Sequence, residues 1–429
     1  MTSQKIELAQ HCFNNWKQTS FTHRANLLKS VAYQLRTNKS TYASIISEEM
    51  GKIFKESEAE IEKCALVCDY YAQNGADFLK DEFIKSDASQ SFISYEPLGV
   101  VLAVMPWNFP FWQVFRFAAP AIMAGNTALL KHASNVPKCA LAIESIFKDA
   151  SAPKGLFQTL LINAKAVKSV IEHPFIKAVT LTGSEFAGSK VAETAGSQIK
   201  KQVLELGGSD AFIVLADANL EKAAEIGVMS RFLNCGQSCI AAKRFIVVEE
   251  IAEQFLEIFK QKTLSLKQSI NPFDKGIDIG PMAREDLAEE LEQQLNQSIK
   301  LGAKLICGGK RNGTLFEPTI ITNVKKGMPA YHQEMFGPVA AFIVVKDINE
   351  ALKIANDSDF GLGGSVWTEN QTLGIEIAKK IETGAVFVNG LVKSDPRLPF
   401  GGIKRSGYGR ELSYLGIREF TNQKTIWVG

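Results

Sequence analysis

Residues 98–131 read LGVVLAVMPWNFPFWQVFRFAAPAIMAGNTALLK. Val100–Val104 is a short β-branched run, the signature of a strand buried on both faces. Pro106-Trp107-Asn108-Phe109-Pro110 ends that run, and residues 110–124 then fit a helix, with proline well placed at its start. Thr127–Leu130 is a second apolar run and ends in Lys131. Strand, helix and strand in such close succession predict a parallel sheet covered on both faces, the α/β class.

The same alternation continues outward. Further strands are predicted at Gln158–Leu161, Ala178–Leu181 and Gln202–Leu206, with helices at 137–149, 165–172 and 186–196. A second cycle follows Gly208, with strands near 211–215, 244–248, 303–306, 339–345 and 385–388. Helices near 219–233, 250–267, 282–300, 348–356 and 370–382 separate them. Ahead of all this, 5–18, 22–38, 40–50 and 55–83 carry helical apolar spacing. Two successive α/β units predict two lobes with a cleft between them, where binding sites tend to lie. Ser91–Tyr95 and the tail Thr421–Val428 belong to neither lobe. They read as strands that either pair within the chain or become subunit contacts.

Bulk properties narrow the partners. The 429 residues are 46% hydrophobic and 22% charged with a net charge of +2, which gives no reason to expect nucleic acid or an anionic membrane. No run approaches the roughly 18 apolar residues of a membrane span. The N-terminus reads as an amphipathic helix, so the expected location is the cytoplasm. Seven cysteines, an odd number mostly inside helical or strand patterns, argue against structural disulfides. No metal-ligand spacing occurs.

Candidate chemistry lies at the strand ends. Cys239 sits in the polar loop Asn234–Ala242, where neither periodicity would bury it, whereas a structural thiol packs as a small hydrophobe. Glu205, at the end of Gln202–Leu206, is a candidate base, because partial burial raises a carboxyl toward a useful pKa. Its alternative is a paired structural glutamate. Asn108 offers an amide to a developing oxyanion, or else caps a helix. Lys131 suits ribose hydroxyls or phosphate, or is an ordinary solvated lysine. Gly183 and Ser184 form a strand-to-helix turn whose free N–H groups attract phosphate, although neither G-x-G-x-x-G nor the Walker pattern is present.

In chain order the motifs are PWNFP, a strand-end lysine, TLTGS, LELGG, GQSC, EMFGPV at 334–339 and PFGGIKRSG at 399–407. From about residue 10 onward this resembles the aldehyde dehydrogenase superfamily, most closely bacterial succinate-semialdehyde dehydrogenases. The resemblance implies two doubly wound α/β domains, nucleotide-binding (1–86 and 98–206) and catalytic (207–400). A small β oligomerisation flap (87–97 and 411–429) would complete the subunit. It also implies a further N-terminal segment that this sequence lacks, of more consequence for stability than for chemistry. By the same resemblance Cys239 is the nucleophile, Glu205 the base for the deacylating water, and Asn108 with the Cys239 N–H the oxyanion hole. Trp107, Lys131, Gly183, Ser184, Glu334 and Phe336 would bind the cofactor.

Many relatives carry glutamate where this chain has Ser134. Loss of that carboxylate removes a repulsion to a 2′-phosphate, so NADP is expected over NAD, with NAD possible. Trp112, Arg116 and Ser394 are the expected substrate residues. Arg116 would grip a distal carboxylate bidentately, or else form an internal ion pair. A homodimer or homotetramer is expected. Competing readings are transfer to coenzyme A, a cysteine hydrolase and an inactive binding protein. Cys235, four residues before Cys239, is read as an incidental cysteine, with a redox disulfide between the two as the minority alternative.

Overall fold

The structure, a computed structural model, describes residues 2–429. The decisive stretch forms the strand Val100–Met105, the helix Trp112–Ala124 and the strand Thr127–His132. Val100–Met105 lies inside a six-stranded sheet. Across that sheet the order is Gly407–Tyr408, Lys201–Glu205, Ile176–Thr182, Val100–Met105, Thr127–His132 and Phe157–Thr159. All neighbours are parallel except the short outer strand Gly407–Tyr408. The chain adds strands to one side of Val100–Met105, then returns to add the others on the opposite side. A crevice therefore opens between the carboxyl ends of Val100–Met105 and Ile176–Thr182, the switch point at which open α/β sheets bind ligands. The helix Trp112–Ala124 is buried at every position. That explains its apolar character all round, with no polar stripe.

The second sheet has seven strands. Their order is Lys304–Cys307, Thr319–Thr322, Val339–Val345, Ala242–Val248, Asp210–Val214, Gly363–Trp367 and Ala385–Val388. Sequence patterning does not reveal two of them. Thr319–Thr322 is only four residues long. Gly363–Trp367 opens on a glycine pair that weakens a strand signal. Gly363 is required there, because a Cβ would lie 2.5 Å from Asp210 Oδ2.

The four N-terminal helices are Thr2–Trp16, Phe21–Thr37, Lys39–Met50 and Phe54–Phe78. The last stops short of the predicted 83, and Glu82–Phe83 instead joins a three-stranded antiparallel sheet with Gln90–Pro97 and Thr421–Val428. The two orphan strands thus pair with each other, from Gln90↔Val428 to Pro97↔Thr421. Thr421–Val428 is left as an edge, with Trp427 exposed. No helix among the described residues is long and apolar enough to cross a membrane.

Candidate active site

The strand order lines up the predicted motifs along one edge. Glu205 ends Lys201–Glu205, Gly183 and Ser184 follow Ile176–Thr182, Trp107 and Asn108 follow Val100–Met105, and Lys131 and Ser134 lie at and after the end of Thr127–His132. In front of this edge lies a cavity of about 820 Å³, within the usual range for ligand sites. Its walls include Trp107, Asn108, Gly183, Ser184, Glu205, Cys239, Glu334 and Phe336. Lys131 and Ser134 lie outside that lining.

The Cys239 loop is held from below. Asn234, Cys235 and Gly236 take left-handed φ values of 53°, 54° and 71° in succession. Asparagine and glycine tolerate this, whereas Cys235 is strained. Gly236 has no substitute, since a Cβ would meet the Gly337 carbonyl oxygen at 2.4 Å. Arg231, fully buried, ties the loop down by donating to the carbonyls of Gly236 and Gly337, both at 2.7 Å, and of Ala242 at 3.2 Å. Lys243 donates to the carbonyls of Ser238 (2.9 Å) and Cys239 (2.8 Å) and pairs with Glu334 at 3.3 Å. Burial pushes the Cys239 thiol up to about 12, opposed by the charges of Arg116 and Lys243. Cys235 is buried, its thiol is also raised by burial, and both sulfurs are free thiols.

Asn108 is locked from two sides. Its Nδ2 donates to the Gln237 carbonyl at 3.0 Å and its Oδ1 accepts from Gln113 Nε2 at 3.1 Å. One amide hydrogen remains to donate elsewhere. Asn108 does not cap the helix Trp112–Ala124, whose first turn donates instead to Glu60, from the Phe111 and Trp112 N–H groups.

Glu205 is 2% exposed and neither carboxylate oxygen has a hydrogen-bond partner. Burial, reinforced by the Glu411 carboxylate, holds its pKa well above the usual range, while Arg116 and Arg410 oppose. A buried carboxyl without a protein partner in a cavity wall is a functional-site signal.

Glu334 accepts from the Gly208 N–H at 3.0 Å, and a Cβ on Gly207 would approach its other oxygen at 2.5 Å. The bare glycine pair Gly207-Gly208 thus lets backbone and carboxylate close on each other. Phe336 stands edge-on to Trp107, ring centroids 5.9 Å apart. Ser184 caps its own helix, accepting from the Ala187 N–H. The Gly183 N–H donates to the Glu205 carbonyl and is therefore not free for phosphate.

Of the expected substrate residues, Trp112 Nε1 donates to Ser394 Oγ at 3.0 Å. Arg116 also holds partners within the chain. Its guanidinium is ion-paired with buried Glu411, donates to Thr182 Oγ1 at 3.2 Å and lies 4.6 Å from the Phe400 ring centroid. Trp112, Arg116 and Ser394 all lie outside the cavity wall. The alternative reading of Arg116, an internal ion pair, is the one these contacts match. Glu411 gives no local signal in the sequence, because it reaches Arg116 only through the bridge from Phe400 to Glu411.

The profile of the Aldehyde dehydrogenase family matches residues 2–426. The chain belongs to the aldehyde dehydrogenase family. A probable succinate-semialdehyde dehydrogenase [NADP(+)] of Synechocystis sp. is 51% identical over 427 residues, 99% of this chain and 94% of the relative. Succinate semialdehyde dehydrogenase [NAD(P)+] Sad of Escherichia coli is 45% identical, covering 98% and 92%. Among solved structures, succinic semialdehyde dehydrogenase from Streptococcus pyogenes in complex with NADP+ superposes with a TM-score of 0.97 at 38% identity, over all of this chain and 94% of that one.

Sequence reasoning misses Lys243 and Arg231, which hold this dehydrogenase's cysteine loop. A signal for Lys243 is present in hindsight: Lys243 and Arg244 interrupt the otherwise apolar strand Ala242–Val248, and both are buried. Charged groups there need strong partners.

Proposed function

We propose that this chain oxidises succinate semialdehyde to succinate with NADP through a covalent bond to Cys239. The observation that carries this reading is the convergence of a half-buried thiol, a locked carboxamide and a buried carboxyl on one cavity at the switch point. The names of the most similar relatives supply the substrate.

The Cys239 sulfur, once deprotonated, adds to the aldehyde carbon, and the carbonyl oxygen becomes an alkoxide. The Asn108 Nδ2 hydrogen left over from Gln237 and the Cys239 N–H stabilise that charge. NADP, when bound, supplies the two-electron acceptor for the hydride that leaves carbon, so that the thiohemiacetal becomes a thioester. Glu205 then takes a proton from water as its oxygen adds to the thioester. The C–S bond breaks and the acid leaves, with the thiol restored. Retention of Glu205 in the cavity wall favours water over coenzyme A as the acyl acceptor.

The donor set fits NADP. Lys131 has no carboxylate partner among the described residues and its pKa is lowered by burial. Ser134 beside it is exposed and uncharged. A phosphate on the ribose would thus meet a cation and a hydroxyl. Glu334, Phe336 and Trp107 would hold the nicotinamide end. NADP+ and NAD+ reduction, followed by nicotinamide absorbance across an aldehyde panel, tests the reading. The highest kcat/KM is expected for succinate semialdehyde with NADP+, and a higher value with NAD+ would overturn the cofactor choice.

The reading extends to a homodimer or homotetramer in the cytoplasm. The open edge of Thr421–Val428 and the outer strand Ala385–Val388 of the larger sheet are edges a second copy could pair with, and seven free thiols suit a reducing compartment. Light scattering that returned a monomer mass would remove the assembly.

A further inference from the structure

Gln113 and Arg116 interrupt the otherwise apolar helix Trp112–Ala124. Arg116 is held by Glu411. Gln113, 2% exposed, stands in the wall of the cavity that also holds Asn108, Glu205 and Cys239. Its backbone N–H donates to the Phe109 carbonyl at 3.1 Å, so its side chain rises from the turn that carries Asn108. Its Nε2 reaches back across that turn and donates to Asn108 Oδ1 at 3.1 Å.

A carboxamide has two ends of nearly the same shape, one a donor and the other an acceptor. Asn108 serves an oxyanion only with Nδ2 toward the reacting carbonyl. Turned over, its Oδ1 would repel the developing charge. The neighbours decide between the two. The Gln237 carbonyl can only accept, which sets Nδ2 on its side. That carbonyl is shared, because Asn234 Nδ2 also donates to it at 3.2 Å. At the other end, only Gln113 among the described residues donates to Oδ1. Turning Asn108 over would set two donors face to face at Gln113 and two acceptors face to face at Gln237. The bond to Oδ1 also polarises the amide and so strengthens Nδ2 as a donor. Gln113 Oε1 is buried without a protein partner. An amide kept in an apolar helix with its acceptor unused is there for its donor.

We propose that Gln113 is a positioning residue of the oxyanion hole, holding the Asn108 carboxamide with its N–H toward the reacting carbonyl. This rests on the covalent reading of Cys239 and Asn108 above.

The test uses p-nitrophenyl acetate, whose acylation of Cys239 needs neither cofactor nor semialdehyde. The thiolate adds to the ester carbon, an alkoxide forms in the hole, and its collapse expels p-nitrophenolate. Single-turnover release of p-nitrophenolate is followed with enzyme in excess, in wild type, Gln113→Met, Asn108→Ala and the double variant, each checked by thermal melting. Asn108→Ala should slow it about 10²–10³-fold, and Gln113→Met about tenfold, the scale of a misaligned group. In the Asn108→Ala background Gln113→Met should cost nothing more, because its effect passes through that amide. Alkylation by iodoacetamide, a displacement at saturated carbon with no oxyanion, should keep its wild-type rate throughout. Gln113→Glu, of equal size, covers the case in which the methionine variant does not fold. Its ionised carboxylate puts an acceptor against Asn108 Oδ1, so its loss too should vanish in Asn108→Ala. A loss that persists in the Asn108→Ala background, or alkylation that slows in step with acylation, would remove Gln113 from this role. An Asn108→Ala variant that acylates at the wild-type rate would instead defeat the oxyanion role of Asn108 itself, and Gln113's with it.

Discussion

The two walls of the cleft are built on different principles. On the nucleotide-facing side the named groups are local and loosely held: Ser184 caps its own helix, Ser134 is exposed and Lys131 has no acidic partner. On the thiol-facing side nearly every group is fixed from far along the chain. Asn108 bonds to Gln237, Lys243 to the Cys239 carbonyl and to Glu334, and Arg231 to Gly337. The covalent chemistry needs reacting atoms held within a fraction of an ångström before substrate arrives. Cofactor binding can instead spend its own contact energy on ordering exposed groups. Substitutions on the thiol wall should therefore cost turnover, and those on the nucleotide wall should redirect specificity.

The largest effect is expected at Glu205. Glu205→Gln keeps the shape but removes the base, so steady-state turnover should fall about 10²–10⁴-fold, while a first-turnover burst of NADPH survives. Intact-mass analysis should then show the acyl group held on the enzyme. Loss of the burst along with turnover would give Glu205 a different role, in activating the thiol. Stability should move the other way. A carboxyl whose pKa is raised by folding binds more protons in the native than in the unfolded state between the two pKa values. Native stability therefore falls as pH rises above the unfolded value, near 4.3. Glu205→Gln removes that penalty and should melt higher than wild type at pH 8, with the gap closing toward pH 4.

A smaller effect is expected at Lys243, whose charge opposes the burial that raises the Cys239 thiol to about 12. Lys243→Met removes that opposition. The pH dependence of thiol alkylation should shift to higher pH, so that at any pH below the thiol pKa the variant reacts more slowly. An unchanged alkylation profile would confine Lys243 to holding the loop.

The same contrast explains what was legible in the sequence. The α/β alternation and the strand-end positions could be read because each rests on a local pattern: a β-branched run, a glycine turn, a cysteine in a polar loop. The gathering of Asn108, Glu205 and Cys239 was legible only through the family resemblance. Arg116 was legible as a helix position but not as Glu411's partner, because that contact spans most of the chain. The strand Gly363–Trp367 escaped because it opens on two glycines, which carry no β propensity, the first of them serving a close approach to Asp210.

The smallest change in rate, and the sharpest test of the contrast, lies on the nucleotide wall. Ser134 is exposed in the turn between Thr127–His132 and the helix Pro137–Asp149, so a glutamate there meets no packing obstacle. In Ser134→Glu the new carboxylate would repel a 2′-phosphate and accept hydrogen bonds from a ribose diol, while also drawing on the free charge of Lys131. These effects share one sign. The ratio of kcat/KM for NADP+ to that for NAD+ should fall about tenfold or more, the scale of one unfavourable charge contact in a binding site. The change should appear mainly in the cofactor KM, with thiol reactivity and melting temperature hardly moved, since no group of the Cys239 wall is touched. If kcat collapsed with both cofactors alike, the two walls would be coupled, and the division between a prebuilt chemical side and an adaptable nucleotide side would fail.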